Sequence, residues 1–514
     1  MRQARGRAFW APVGVALVLL GTGVALLPAA YDEPLRAQAL GRVAPVNAGA
    51  LSPVDISGNN SPTVVRSPRD PRRLAIVNRI DSPRYSCALH VSSDAGATWT
   101  QTPVRAPKGE AICYAPDAAF DSNGTLYMSF VTLRGLGNVP NAAWLVTSTD
   151  GGKTLSTPRR VLGKLVFQVR LAADPSAPRR VFLTWLQGTE VGLYRFSSTG
   201  APINTMRSDD GGSTWSTPVR TSSPQRTRVL APTPVAGAKG EMYVLYLDLR
   251  EDRLDYEGAH DGRGGPPYTG RWQLVLARSR DRGATWQESL VEPALVPTER
   301  MIAFIPPFPS LAVDRDSGCL YAAFHDGRLG DADVCLGELR PGEAQWQGPR
   351  RVNDTRRKDR TSQYLPKLSI APSGRLDVVY YDRRFDVTND DLNEVSLQSS
   401  TDGGETFGER LVLSGRAFDS KVGFGIERDF PDLGSRLALL SDDARALAVW
   451  SDTRAGTRAT LKQDLGRRVV AFSGPDGLGT GATAALRIGG IALLLGGLAV
   501  LVLGVRRRGP FRPA

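Results

Sequence analysis

Residues 92–100 read SSDAGATWT: a serine, an aspartate, a glycine and a threonine at fixed spacing, closed by a tryptophan. Near-copies follow as STDGGKTLS from Ser148, SDDGGSTWS from Ser208, SRDRGATWQ from Ser279 and STDGGETFG from Ser400. One copy could be a site, whereas five point to architecture. In each, the aspartate can accept hydrogen bonds from turn N–H groups, the glycine supplies a positive φ, and the hydroxyls satisfy what remains. The closing residue is Trp99, Trp215 or Trp286 in three copies and Leu155 or Phe407 in the others. Bulk is kept and ring identity is not, which suits packing between sheets better than a stacking platform for a sugar.

The box aspartates Asp94, Asp150, Asp210, Asp281 and Asp402 are separated by 56, 60, 71 and 121 residues, so the last gap is about two periods. A worn copy, GELRPGEAQWQGPRRVN, fills it and keeps Trp346. A second phrase occurs seven times, for example as AFDSNGTLYMSFVTLRG, VAGAKGEMYVLYLDLRE and SIAPSGRLDVVYYDRRF: strand, Gly/Pro/Asp turn, and a strand rich in Val, Tyr, Phe and Trp. With a box between the third and fourth strands, each unit is a four-stranded meander. Repetition of such units about an axis removes long sheet edges, so the chain is expected to be an all-β propeller of seven four-stranded blades, six being the alternative. The last unit has no box, and LGRVAPVN (residues 40–47) resembles the exit strands RVLG and RRVN, so it is expected to complete the last blade.

The pattern S-x-D-x-G-x-T-W resembles the Asp box (BNR repeat) of the sialidase, or neuraminidase, superfamily. The resemblance covers roughly residues 54–470 and implies the propeller fold; such boxes also occur in propellers that are not enzymes. Family enzymes hold a carboxylate with an arginine triad and use a Tyr nucleophile assisted by Glu, with an Asp acid/base. Their first blade opens with Arg-Ile-Pro. The nearest text here is Arg79-Ile80-Asp81, at the end of a second strand, and seven units exceed the six blades of those enzymes.

The chain ends concern location. Ala8 to Ala30 is uncharged and follows Arg2, Arg5 and Arg7, which fits a signal peptide or an uncleaved anchor. Ile488 to Val505 is uncharged and runs into Arg506, Arg507 and Arg508, which fits a membrane span with a cytoplasmic tail. The expected organisation is a signal or anchor (1–30), a linker with the ring-closing strand (31–53), the propeller (54–470), a Gly-rich linker (471–485), a transmembrane helix (486–505) and a basic tail (506–514). That places a monomeric propeller outside the cytoplasm at the cell membrane.

Four cysteines in an exported region suggest disulfides, with four free thiols as the alternative. A hairpin folded at Gly327 would bring Cys319 opposite Cys335, leaving Cys87 for Cys113.

The net charge of +12 is spread as scattered arginines without a basic face, which argues against nucleic acid. No metal site, P-loop or dinucleotide fingerprint is present, and no cofactor is expected; calcium would have only acid-rich turns such as DDGG and DRDSG, which hydration explains equally well. Strand connections alternate between the two faces of a propeller, so the face without boxes carries the ends of the second strands. Four of these end in Asp-x-Arg, at Asp248/Arg250, Asp326/Arg328, Asp382/Arg384 and Asp452/Arg454. Converging arginines would suit a carboxylate or glycan ligand; arginines paired within their own blade would suit a non-catalytic scaffold for cell-envelope proteins. Tyr256 beside Glu257, and Tyr364, are the candidates for chemistry, as in an exo-sialidase-type hydrolase.

Overall fold

In the computed structural model the described residues are 15–20, 22, 24, 35–52, 54–110, 112–135, 138–189, 201–252, 268–298, 308–388, 391–423, 432–473 and 480–506. Two compact units are present, Gln38–Ala471 and the paired chain ends Met1–Ala37 with Phe472–Ala514. The first is a propeller of seven antiparallel sheets. Blade 1 is Asn59–Arg66, Leu74–Ile80, Ser86–Ser92 and Thr100–Thr102. Blade 2 is Ile112–Phe120, Leu126–Arg134, Val139–Ser148 and Arg159–Leu162. Blade 3 is Val166–Ala173, Val181–Gln187, Ile203–Ser208 and Val219–Arg220. Blade 4 is Val229–Ala236, Met242–Asp248, Trp272–Ser279 and Gln287–Leu295. Blade 5 is Ser310–Val313, Leu320–Asp326, Asp333–Leu339 and Gln347–Arg351. Blade 6 is Gln363–Ile370, Leu376–Asp382, Leu392–Ser400 and Leu411–Val412. Blade 7 is Ala438–Ser441, Arg445–Asp452 and Asp464–Ser473, with Arg36–Pro45 as its outer strand.

Second strands such as Leu74–Ile80 and Val181–Gln187 are apolar and buried along almost their whole length, because blades cover both of their faces. All five boxes are clasps. Ser92 Oγ donates to Asp94 (2.7 Å) and accepts from Gly96 N (2.9 Å), while Thr98 donates its amide (2.9 Å) and its hydroxyl (2.6 Å) to Asp94. Ser148/Asp150, Ser208/Asp210, Ser279/Asp281 and Ser400/Asp402 repeat these bonds. The Thr98 hydroxyl and amide hold Asp94 down at about 2, and Thr285 does the same for Asp281, so these carboxylates keep their charge and move no proton near neutrality.

Each closing residue wedges against the preceding blade. Trp99 packs on a cluster that blade 1 shares with blade 7, Leu155 on one shared with blade 1, Trp215 with blade 2, Trp286 with blade 3, Trp346 with blade 4 and Phe407 with blade 5. The missing seventh box has a simple cause. In blade 7 the fourth strand comes from the other end of the chain, so no turn joins it to the third.

The cysteine expectation needs correction. Cys87 and Cys113 form a disulfide from the third strand of blade 1 to the first of blade 2, with Cα atoms 5.5 Å apart, whereas Cys319 and Cys335 are free. The blade 5 hairpin pairs Asp326 with Asp333 and Phe324 with Cys335, so it turns at Leu329–Gly330 and not at Gly327. Cys319 therefore lies five residues along the strand from the partner of Cys335, about 16 Å away.

In the second unit a helix covers Thr480–Arg506. Among the described residues no helix is long and apolar enough to cross a membrane. Within residues 488–502 of this helix, Ile488, Ile491, Leu495, Leu498 and Val502 are exposed.

Candidate functional site

The Asp-x-Arg pairs repeat one local device. In each, the aspartate accepts the backbone N–H two residues on, at 3.0 Å from Arg250, 2.8 Å from Arg328, 3.1 Å from Arg384 and 3.0 Å from Arg454. Three guanidiniums then turn back onto the same aspartate. Arg328 binds Asp326 (2.8 Å) and Glu292 (2.6 Å), Arg384 binds Asp382 (2.8 Å) and Asp354 (2.8 Å), and Arg454 binds Asp452 (2.9 Å) and the Ser414 carbonyl (2.7 Å). Asp248 takes Arg226 instead (2.5 Å), leaving the Arg250 side chain exposed. The four aspartates thus brace four separate turns, and the Arg328, Arg384 and Arg454 side chains are each held by partners beside them. Tyr364 is fully buried, donates to Asn393 Oδ1 (2.6 Å) and packs on Tyr381 and Arg383. Tyr256 and Glu257 lie outside the described residues.

What converges at the axis is a different set. The inner strands share a bulge at the same place: the register slips after Asn60, Tyr114, Phe167, Leu230 and Tyr364, and Ser61, Ala115, Gln168, Ala231 and Leu365 take φ of 48–59°. Proline follows four of these five residues. Two residues past each bulge stand Thr63, Asp117, Arg170, Thr233 and Lys367; Ser310, and Arg436 two residues past Gly434 (φ 89°), occupy the matching places in blades 5 and 7. Their contacts cross from blade to blade. Arg436 Nε donates to Thr63 Oγ1 (2.9 Å), Thr63 donates to Asp117 (3.0 Å), and Arg170 pairs with Asp117 (3.4 Å). Arg170 of blade 3 also lies over the ring of Phe308, just before blade 5 (5.6 Å).

Of the three cations at these places, Arg170 pairs with Asp117 directly and Arg436 is linked to it through Thr63. Arg436 otherwise reaches only the Pro116 carbonyl (2.8 Å), and Lys367 has no hydrogen bond or ion pair among the described residues. Burial, then the charge of Arg170, bring Lys367 down to about 8; the same two causes push Arg436 well below its ordinary value.

Above this ring, toward the face without boxes, sits a second cluster. Arg79 Nη2 is shared by Asp81 (2.6 Å) and Asp432 (2.9 Å), and its Nη1 donates to Tyr114 Oη (2.9 Å). Asn60 donates to Asp81 Oδ2 (2.9 Å), and Tyr85 meets Tyr114 edge to face at 5.1 Å. Two buried carboxylates on one guanidinium nitrogen are not both comfortably ionised. Burial lifts Asp81 to about 6 against the pull of Arg79. Asp81 Oδ1, Asn60 Oδ1 and Arg79 Nε are buried without a partner among the described residues, which gives the cluster two spare acceptors and one spare donor.

No protein-family model and no curated protein matches the chain. Among solved structures it is similar to the Hadza microbial sialidase Hz136 (14% identity, 78% of this chain and 74% of that one, TM-score 0.40). It is also similar to an α-L-arabinofuranosidase from Fusarium graminearum (12%, 67% and 92%, TM-score 0.42) and to a polysaccharide lyase of family PL25, an ulvan lyase (12%, 83% and 95%, TM-score 0.44).

Proposed function

We propose that the protein is a sialidase-like propeller, held at the outer side of the cell membrane, that recognises a carbohydrate at the mouth of its axial channel. One observation carries the reading: among the described residues Asp81 Oδ1 and Asn60 Oδ1 are buried acceptors without donors, set beside Arg79, Tyr85 and Tyr114. A buried acceptor left unpaired is costly, and sugar hydroxyls are the donors that would relieve it. An acidic sugar, as in an exo-sialidase-type reaction, is the finer form of the reading, with Asp81 as the group able to carry a proton near neutrality. Anchoring is supported by the uncharged run up to Val505, the three arginines after it, and the apolar side chains exposed between residues 488 and 502.

A scaffold that binds envelope proteins is the second reading, favoured by Arg328, Arg384 and Arg454 being occupied within their own blades. Detergent-solubilised full-length protein, titrated calorimetrically with neutral and acidic oligosaccharides and incubated with a fluorogenic sialoside, separates them. Binding weakened at least tenfold in Arg79→Met and kept in Arg384→Ala supports the mouth. Turnover lost in Asp81→Asn with binding kept assigns hydrolysis. Absence of both binding and turnover in the unaltered protein puts the scaffold first.

A further inference from the structure

The axial ring makes a demand that the mouth does not meet. Arg170 pairs with Asp117 (3.4 Å), Arg436 is linked to that carboxylate through Thr63, and Lys367 stands at the equivalent place of blade 6, so the bonds among these groups are spent unevenly. Among the described residues Arg436 donates to two neutral oxygens, Arg170 Nε and Gln168 Nε2 two residues before it are buried without a partner, and Lys367 has no hydrogen bond or ion pair. The Ser310 hydroxyl accepts the Leu368 amide (3.0 Å), so its own proton remains to be given. Donors at one place in the repeat, from blades 3, 5, 6 and 7, therefore outnumber the acceptors that the described residues give them. Buried charges of one sign are tolerated when a counter-charge satisfies them.

We propose that the axial channel holds a tetrahedral inorganic oxyanion, of the phosphate or sulfate class, between Arg170, Lys367 and Arg436. Guanidinium forks from two sides and an ammonium from a third match an anion with oxygens on all sides better than a spherical halide. The site adjoins the carbohydrate site but rests on other atoms: its unpartnered donors are Arg170 Nε and Gln168 Nε2, whereas the mouth has Asp81 Oδ1, Asn60 Oδ1 and Arg79 Nε.

The test uses detergent-solubilised full-length protein dialysed free of oxyanions, with inorganic phosphate as the probe. Calorimetric titration is expected to give one phosphate per chain, and the thermal midpoint to rise saturably with phosphate or sulfate at constant ionic strength. Lys367→Met is expected to weaken phosphate binding at least tenfold. Lys367→Gln serves if that variant does not fold. Equal midpoint shifts in wild type and variant, or equal shifts with chloride, would overturn the proposal, since screening needs no site. So would a result in which glucuronate or N-acetylneuraminate binds in a Lys367-dependent way and phosphate does not; the ring would then hold the carboxylate of the sugar. Sugar binding lost in Arg79→Met with phosphate binding kept would sustain both sites, and the reverse pattern would remove only this one.

Discussion

Replacing Lys367 by methionine should stabilise the protein in oxyanion-free buffer at pH 7, although it removes a charged residue from the centre of the ring. The ammonium is pushed from its ordinary 10.5 to about 8 by burial and by Arg170, with Arg436 adding to the repulsion and Asp117 alone opposing it. A base with a depressed pKa in the folded state binds fewer protons there than in the unfolded chain between pH 8 and 10.5. Stability therefore rises with pH across that window and is lost again as pH falls through 8. Below 8 the charged lysine costs at most about 3 kcal/mol, from 1.36 kcal/mol per pH unit of displacement. Lys367→Met keeps the length of the side chain and removes that cost. For a propeller of this size the unfolding entropy is about 0.9 kcal/mol per kelvin, so the midpoint should rise by about 3 °C. Scanning calorimetry of both proteins from pH 7 to 10 is the assay: the gap should be widest at pH 7 and should narrow toward pH 10. A variant that melts at or below wild type at pH 7, or a gap that does not change with pH, would show that Lys367 is already neutralised and that the electrostatic account of the ring is wrong.

Four further outcomes follow from the fold. Alkylation of the unreduced, denatured protein should label two cysteines and not four or none, and breaking Cys87–Cys113 should cost about 3 kcal/mol by the loop-entropy argument, read as a shift of the denaturant midpoint. Arg384→Ala leaves the buried Asp382 with fewer counter-charges and should destabilise by about 3 kcal/mol without weakening sugar binding; a ligand defect in a protein of unchanged midpoint would return that arginine to the site. Deleting residues 36–45 bares an edge of blade 7 and should lower the midpoint sharply, whereas an unchanged midpoint would mean that the strand closes nothing. His325, held down at about 4 by burial, with Asp326 pulling the other way, contributes stability that is present above pH 6.5 and lost as pH falls toward 4; His325→Phe should flatten that acid limb of the stability curve.

The boxes were readable because every group in them is local: Ser92, Asp94, Gly96 and Thr98 bond to one another within seven residues, so the spacing itself is the structure. The same locality explains why the Asp-x-Arg pairs stand out as a repeat, since a pattern set by a turn recurs wherever the turn does. The Cys319–Cys335 pairing failed for the opposite reason. Register is decided by how Phe324 and Cys335 pair across a hairpin, and a turn displaced from Gly327 to Leu329–Gly330 moves every partner. The ring residues carry a signal of their own in the sequence. Ser61-Pro62-Thr63, Ala115-Pro116-Asp117, Ala231-Pro232-Thr233 and Leu365-Pro366-Lys367 are one motif, in which a left-handed residue and a proline interrupt the inner strand and turn the next side chain to the axis. Aligned as a column with Arg170, Ser310 and Arg436, the motif selects the channel positions without reference to any box. Repetition in a propeller therefore carries two messages: positions that stay the same hold the blades together, and positions that differ at a fixed place in the repeat, as Asp117, Arg170, Lys367 and Arg436 do, are where seven equivalent blades become one asymmetric site.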